Sequence, residues 1–75
     1  MWAVNERLNM LSVEQLLKVA SAMNTIGVDL DSMSVTLSRC GEIQLADKVG
    51  IARDYCYQAA TQAADRASTL TQAKP

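Results

Sequence analysis

The chain has 75 residues, of which 49% are hydrophobic and 20% charged, and its formal net charge at pH 7 is −1. This length allows a single domain over residues 1–75, with a core that removes only ~60% of the unfolded chain's surface from water. A near-neutral charge excludes broad electrostatic attraction to nucleic acid or to an anionic membrane. The chain has no His and only two Cys, which excludes a structural zinc site with four such ligands. We therefore expect neither a metal nor a cofactor.

The expected location follows from what the sequence lacks. No uncharged apolar run approaches the ~20 residues of a membrane span. Residues 1–7 show neither the basic start nor the apolar stretch of a signal peptide. Two cysteines in such a chain, Cys40 and Cys56, are more typical of reduced thiols than of a disulfide. These features predict a cytoplasmic protein with no membrane partner.

The first helix is predicted over residues 12–39. Ser12 followed three residues later by Gln15 is the pattern of a capping box. Beyond it, apolar residues recur every three to four positions as one stripe on a helix: Leu16, Ala20, Met23, Ile26 or Gly27, Leu30, Met33 and Leu37. Gly27 lies among poor helix formers, so the pattern leaves open whether the helix continues through residues 26–30 or breaks there.

The second helix is predicted over residues 42–70, after a turn at Cys40-Gly41. Its apolar positions follow spacings of three and four, with Ala67 beside the stripe, and most of them are small. Small residues let a neighbouring helix approach closely. The members of the stripe are Leu45, Val49, Ala52, Cys56, Ala59, Ala63 and Leu70. Residues 71–75 are predicted to fray, and residues 1–11 to add a short N-terminal helix.

These elements predict an all-α fold, an antiparallel helical hairpin. Two apolar stripes on two helices cover each other only in part, so we expect the hairpin to dimerise into a helical bundle. The seven stripe residues from Leu45 to Leu70 are the predicted partner or oligomer interface.

Residues Leu45–Gln58 resemble the helix-turn-helix of phage-repressor-like DNA-binding domains. The resemblance rests on a small Ala46, Gly50 four residues later, apolar Ile51 and apolar Cys56. It covers about fourteen residues. It implies a small DNA-binding regulator whose second helix enters the major groove.

That resemblance would direct Arg53, Tyr57 and Gln58 toward the bases, where Arg and Gln side chains can make bidentate contacts. The sequence departs from the family because Asp47 and Asp54 fall on the surface that would meet phosphates. The apolar stripe also runs through Gly50 without a change of phase. DNA binding is therefore the alternative prediction.

The segment Asp31-Ser32-Met33 looks a little like the Asp-Ser-Leu/Met of acyl carrier proteins. In that family the Ser stands at a helix start and carries phosphopantetheine. The chain lacks the family's strongly acidic second helix and its long first loop. An ordinary reading is that Asp and Ser cap a helix.

The sequence offers little for catalysis, because it has no His and no Ser or Cys with an obvious base. We expect no enzymatic activity. More apolar positions are present than a two-helix core can cover: Ile26, Val28, Val35, Ile43, Ile51 and Tyr55 lie off or beside the stripes. An excess of exposed apolar residues is typical of a partner site. The leading prediction is a protein–protein interaction module, such as an adaptor, a chaperone-like partner or an inhibitor. Its partner is expected to be another protein, a second copy, or both.

Overall fold

A computed structural model describes residues 12–72 of the chain. They form two α-helices, α1 over Val13–Arg39 and α2 over Ile43–Gln72, which pack against each other. The prediction of an all-helical hairpin is confirmed for this part of the chain. The short helix predicted within residues 1–11 and the end of the tail, residues 73–75, lie outside the described residues.

Helix α1 begins with the capping box that the sequence predicts. The backbone N–H of Gln15 donates to Ser12 Oγ at 3.1 Å, and the backbone N–H of Ser12 donates to Gln15 Oε1 at 3.0 Å. Two N–H groups that a helix start leaves free are satisfied in this way. The reciprocal bonds fix the first residue of α1.

Helix α1 runs through residues 26–30 without a break, which settles the alternative that the sequence left open. Ser32 therefore lies in the interior of α1 and not at a helix start. The placement that the acyl-carrier resemblance requires is absent. Asp31 is not a cap either, because its carboxylate pairs with Arg53 of α2.

The turn between the helices falls at Cys40-Gly41, as predicted. Gly41 has a φ of +85°, in the left-handed region that favours glycine. The N–H of Gly41 donates to the carbonyl of Ser38 at 3.1 Å, and that of Glu42 to the carbonyl of Leu37 at 2.9 Å. These two bonds make a Schellman motif, which ends α1 and sends the chain back antiparallel.

Helix α2 is longer at its end than predicted. Thr71 and Gln72 are helical, two residues beyond the predicted end of the helix, and the fraying of the tail stays a prediction. Thr71 Oγ1 donates to the carbonyl of Ala67 at 2.9 Å. This is the usual bond of a helical Thr hydroxyl to the carbonyl four residues earlier.

The contact between the helices is built mainly from the smallest side chains. The buried residues are Leu16, Ala20 and Gly27 on α1, with Ala46, Ala60, Ala63 and Ala67 on α2. On α2 the contact line agrees with the predicted stripe at Ala63 and lies one position beyond it at Ala46 and Ala60, where the stripe has Leu45 and Ala59. Ala67, predicted beside the stripe, is buried as well. Small side chains allow the two backbones to approach closely, so the hairpin core is narrow.

Gly27 is buried because the ring of Tyr57 lies directly against it. A Cβ added at Gly27 would come within 2.8 Å of Tyr57 Cδ1 and 3.0 Å of Cζ. Real Cβ atoms do not approach ring carbons so closely, so any larger residue must displace the ring. The ring is thus held over the α1 backbone at the middle of the hairpin.

Neither α1 nor α2 is long and apolar enough to cross a membrane, a finding that covers residues 12–72.

We predict that Gly27→Ala lowers the free energy of unfolding by about 1–3 kcal/mol, because the new methyl group overpacks the contact with Tyr57. Urea unfolding followed by circular dichroism measures the change. The matched control is the same substitution in a Tyr57→Ala background. There the clash is gone and Ala, the better helix former, should be neutral or stabilising by up to ~1 kcal/mol. An equal loss in both backgrounds would contradict the packing of Tyr57 on Gly27.

Candidate protein interaction surface

The seven residues predicted as a partner interface lie along one side of α2. Ala63 is buried between the helices, Val49, Cys56, Ala59 and Leu70 are half-buried, and Leu45 and Ala52 are exposed. Leu45, Ala52 and Ala59 follow one another at intervals of seven residues, so they form nearly one line along the helix. The next position on this line is Arg66. The line runs beside the interhelix contact rather than through it.

Helix α1 carries a matching line of larger side chains. Val19, Ile26 and Met33 are also seven residues apart, and their exposed fractions are 41%, 43% and 54%. Beside them, toward α2, stand the half-buried Met23, Leu30 and Leu37. Val19, Ile26 and Met33 therefore extend the apolar surface from the interhelix contact to the outer side of α1.

The lines on α1 and α2 belong to the same side of the hairpin. Met33 and Leu37 of α1 line a groove of about 370 Å³ together with Val49 of α2. We call this side the apolar face. It comprises Val19, Met23, Ile26, Leu30, Met33 and Leu37 on α1, and Leu45, Val49, Ala52, Cys56, Ala59, Ala63 and Leu70 on α2. No member carries a charge. The face is bordered by Ser32 and Thr36, which also line the groove, and by Arg66 of α2.

The opposite side of the hairpin is closed by an ion pair. Arg53 of α2 donates from a terminal guanidinium nitrogen to Asp31 Oδ1 of α1 at 2.6 Å, and its Nε donates to Asp54 Oδ1 at 3.0 Å. These hydrogen bonds, the one to Asp31 first, raise the pKa of the Arg53 guanidinium. The side chains are partly exposed, so water screens their attraction and the pair adds little to stability. Its effect is to fix the register of the two helices, that is, which residues of α1 and α2 lie at the same height along the hairpin.

A second polar contact lies on that side, nearer the turn. Ser34 Oγ donates to the backbone carbonyl of Ala46 at 2.9 Å, across the two helices. We call this side, with Asp31, Ser34, Arg53, Asp54 and Tyr57, the polar face. This side also carries large exposed apolar residues, and two more stand on the outer side of α2. They are Leu17, Val28 and Val35 on α1 and Ile43 on α2, with Ile51 and Tyr55 on the outer side. Single exposed apolar side chains of this kind are ordinary on protein surfaces.

The helix-turn-helix arrangement is absent. Gly50 lies within helix α2, which is unbroken over Ile43–Gln72, and its φ is not positive. Arg53 is engaged with Asp31 and Asp54, and Tyr57 lies on Gly27, while Gln58 alone of the three predicted base-reading residues is exposed. The helix predicted over residues 42–70 is therefore confirmed through Gly50, and the alternative of two helices joined by a turn there is wrong. The stripe that passes Gly50 without a phase change was the correct signal.

We predict that Gly50→Ala raises the free energy of unfolding by up to ~1 kcal/mol, since Ala loses less backbone freedom than Gly in a helix. A Cβ at Gly50 meets Ser34 Oγ at 3.6 Å and Arg53 at 3.8 Å, which are ordinary contacts. Urea unfolding measures the gain. Gly41→Ala is the control and should be destabilising, because Gly41 has a positive φ. A destabilised Gly50→Ala variant would contradict the continuous helix.

Sequence reasoning missed the difference between the two faces, although a signal for it existed. In a hairpin that turns at Gly41, residues at similar distances before and after the turn stand level. Asp31 and Arg53, which carry opposite charges, occupy such positions, as do Gly27 and Tyr57. Pairing residues about the turn would have placed these four together and identified the polar face.

Compared with known proteins, the chain matches no family model, no curated protein and no solved structure. The interpretation of its function therefore rests on the geometry of the two faces.

Proposed function

We propose that the chain is a non-catalytic protein–protein interaction module that binds through its apolar face. The observation that carries this proposal is that apolar side chains of both helices meet on that face. Exposed large side chains from both helices, among them Ile26, Met33 and Leu45, lie on one side with no charge between them. Contiguous exposed apolar surface of this kind marks partner sites in proteins.

The shape of the face supports a helical or helix-binding protein partner. Its anchors on α1 follow the spacing of three, four and seven residues with which amphipathic helices engage a groove. Met23 and Met33 add flexible side chains that adapt to a partner surface. The polar face, by contrast, is occupied by contacts within the hairpin.

The remaining parts of the proposal concern partners and location. The net charge of −1 supports neither nucleic acid nor an anionic membrane as the partner. A cytoplasmic location is supported by Cys40 and Cys56, which are both free thiols. The partner in this proposal is another protein, a second copy of the chain, or both.

The test is site-specific photo-crosslinking in the native host. A photoreactive amino acid replaces Met33 on the apolar face or, as the matched control, Val28 on the other side of the same helix. The exposed fractions are 54% and 57%, so the two probes are equally accessible. We expect the Met33 probe to crosslink to protein, either to a second copy or to another chain, and the Val28 probe to give several-fold less.

The comparison between the Met33 and Val28 probes also shows which result would contradict the proposal. Equal yields from the two positions, or no product from Met33, would overturn the assignment of the apolar face as the binding surface. Mass spectrometry of the crosslinked product identifies what the face contacts.

A further inference from the structure

We propose that the apolar face is covered by a second copy of this chain, with α1 of each copy packed on α2 of the other in a four-helix bundle. This inference rests on the proposed function and names its partner. It goes beyond a surface that binds protein because it commits to one occupant and one arrangement. Three observations support it: the sizes of the side chains on the apolar face, their positions along the helix axes, and the area of the face.

The two helices present side chains of opposite size on the apolar face. At the middle of the face α1 carries Ile26 and Met33, whereas α2 carries Ala52, Cys56 and Ala59. Packed layers interdigitate when large residues of one surface meet small residues of the other. Each hairpin therefore holds both halves of a complementary pair, a ridge on α1 and a shallow trough on α2.

The contacts within the hairpin show that ridge and trough stand at the same level. Asp31 pairs with Arg53, and Gly27 with Tyr57. Ile26 is next to Gly27 in sequence, and it therefore stands near the level of Cys56 and Ala59, within one turn of either.

A two-fold axis parallel to the helices keeps every residue at its level and exchanges the positions of α1 and α2. It places the ridge of each copy over the trough of the other, with all neighbouring helices antiparallel. A two-fold axis across the helices would instead put α1 on α1 and α2 on α2. Large side chains would then meet large ones, and the alanines of α2 would face each other across a gap.

The area of the face reaches what a specific dimer needs. At 1.5 Å per residue the face extends for roughly 37 Å on α2, from Leu45 to Leu70, and for roughly 27 Å on α1, from Val19 to Leu37. With two helices about 8–10 Å apart it is roughly 18 Å wide, side chains included. Over the length that both helices share, each copy would thus cover roughly 500 Å² of its partner, or about 1,000 Å² in total, at the lower end of specific interfaces.

The first experiment measures the association of the purified full chain by sedimentation equilibrium at micromolar concentration. We expect a dimer. Ile26→Glu should raise its dissociation constant by on the order of 100-fold or more, because each copy would bury a carboxylate against apolar surface. The matched control Val28→Glu, on the polar face, should leave the dissociation constant unchanged within about threefold.

Three results would overturn the proposal: a monomeric wild type, a dimer that survives Ile26→Glu, or one that Val28→Glu disrupts equally. A monomeric wild type together with Met33 crosslinks to a different protein would retain the interaction module and reject the second copy. The two failures are therefore distinguishable.

A second experiment tests the arrangement and does not depend on the folding of the charged variant. In a Cys40→Ser/Cys56→Ala background, Ile26→Cys and Ala59→Cys are introduced together and the protein is oxidised. The proposed packing brings Ile26 of one copy over Ala59 of the other, so a covalent dimer should form on non-reducing gels. Val28→Cys with Ala59→Cys should give no more dimer than the background. Covalent dimer from Ala59→Cys alone would show α2 packed on α2 and overturn the arrangement, as would its absence from the Ile26/Ala59 pair.

Discussion

The close approach of two helices through alanine and glycine governs the rest of this structure. Every buried residue at the contact other than Leu16 is Ala or Gly. Such a contact brings backbones together and gains dispersion energy, yet it buries little apolar area because an alanine side chain is a single methyl group. Leu16 lies within the contact, and Val13, Met23 and Leu70 pack against it. Most of the other large apolar side chains stand beside the contact, so much of the apolar surface lies outside the hairpin core.

The sequence predicted well what short-range hydrogen bonding determines. The capping box at Ser12 and the Schellman turn at Gly41 each involve residues no more than a few positions apart, so they are visible in a linear pattern. The phase of the interhelix contact on α2 was not predictable in the same way. Alanine occurs on several sides of α2, and the contact line includes Arg53, a residue that a search for apolar periodicity passes over. The apolar period placed the interhelix contact on α2 one residue too early. The ion pair between Asp31 and Arg53, which stand at the same level, determines its position.

The polar contacts on one side of the hairpin fix how the two helices pack. The ion pair of Arg53, the Ser34 hydrogen bond and the ring of Tyr57 occupy one edge of the contact with interactions inside the chain. None of these is worth much singly at a partly exposed position. Together they fix the rotation and register of α2 against α1. The same register places the alanines of α2 on the apolar face at the level of the large residues of α1, so the inner contact specifies the outer surface.

A hairpin with so narrow a core couples folding to association. If the apolar face is covered by a second copy, the folded state includes area from both chains, and the apparent stability rises with protein concentration. Residues such as Ile26 and Met33, which make few contacts within their own hairpin, then contribute to stability through the partner. Residues at the inner contact, such as Ala60 and Gly27, contribute at any concentration. The concentration dependence of unfolding thus distinguishes residues of the apolar face from residues of the interhelix contact. A list of apolar residues from the sequence alone does not make this distinction.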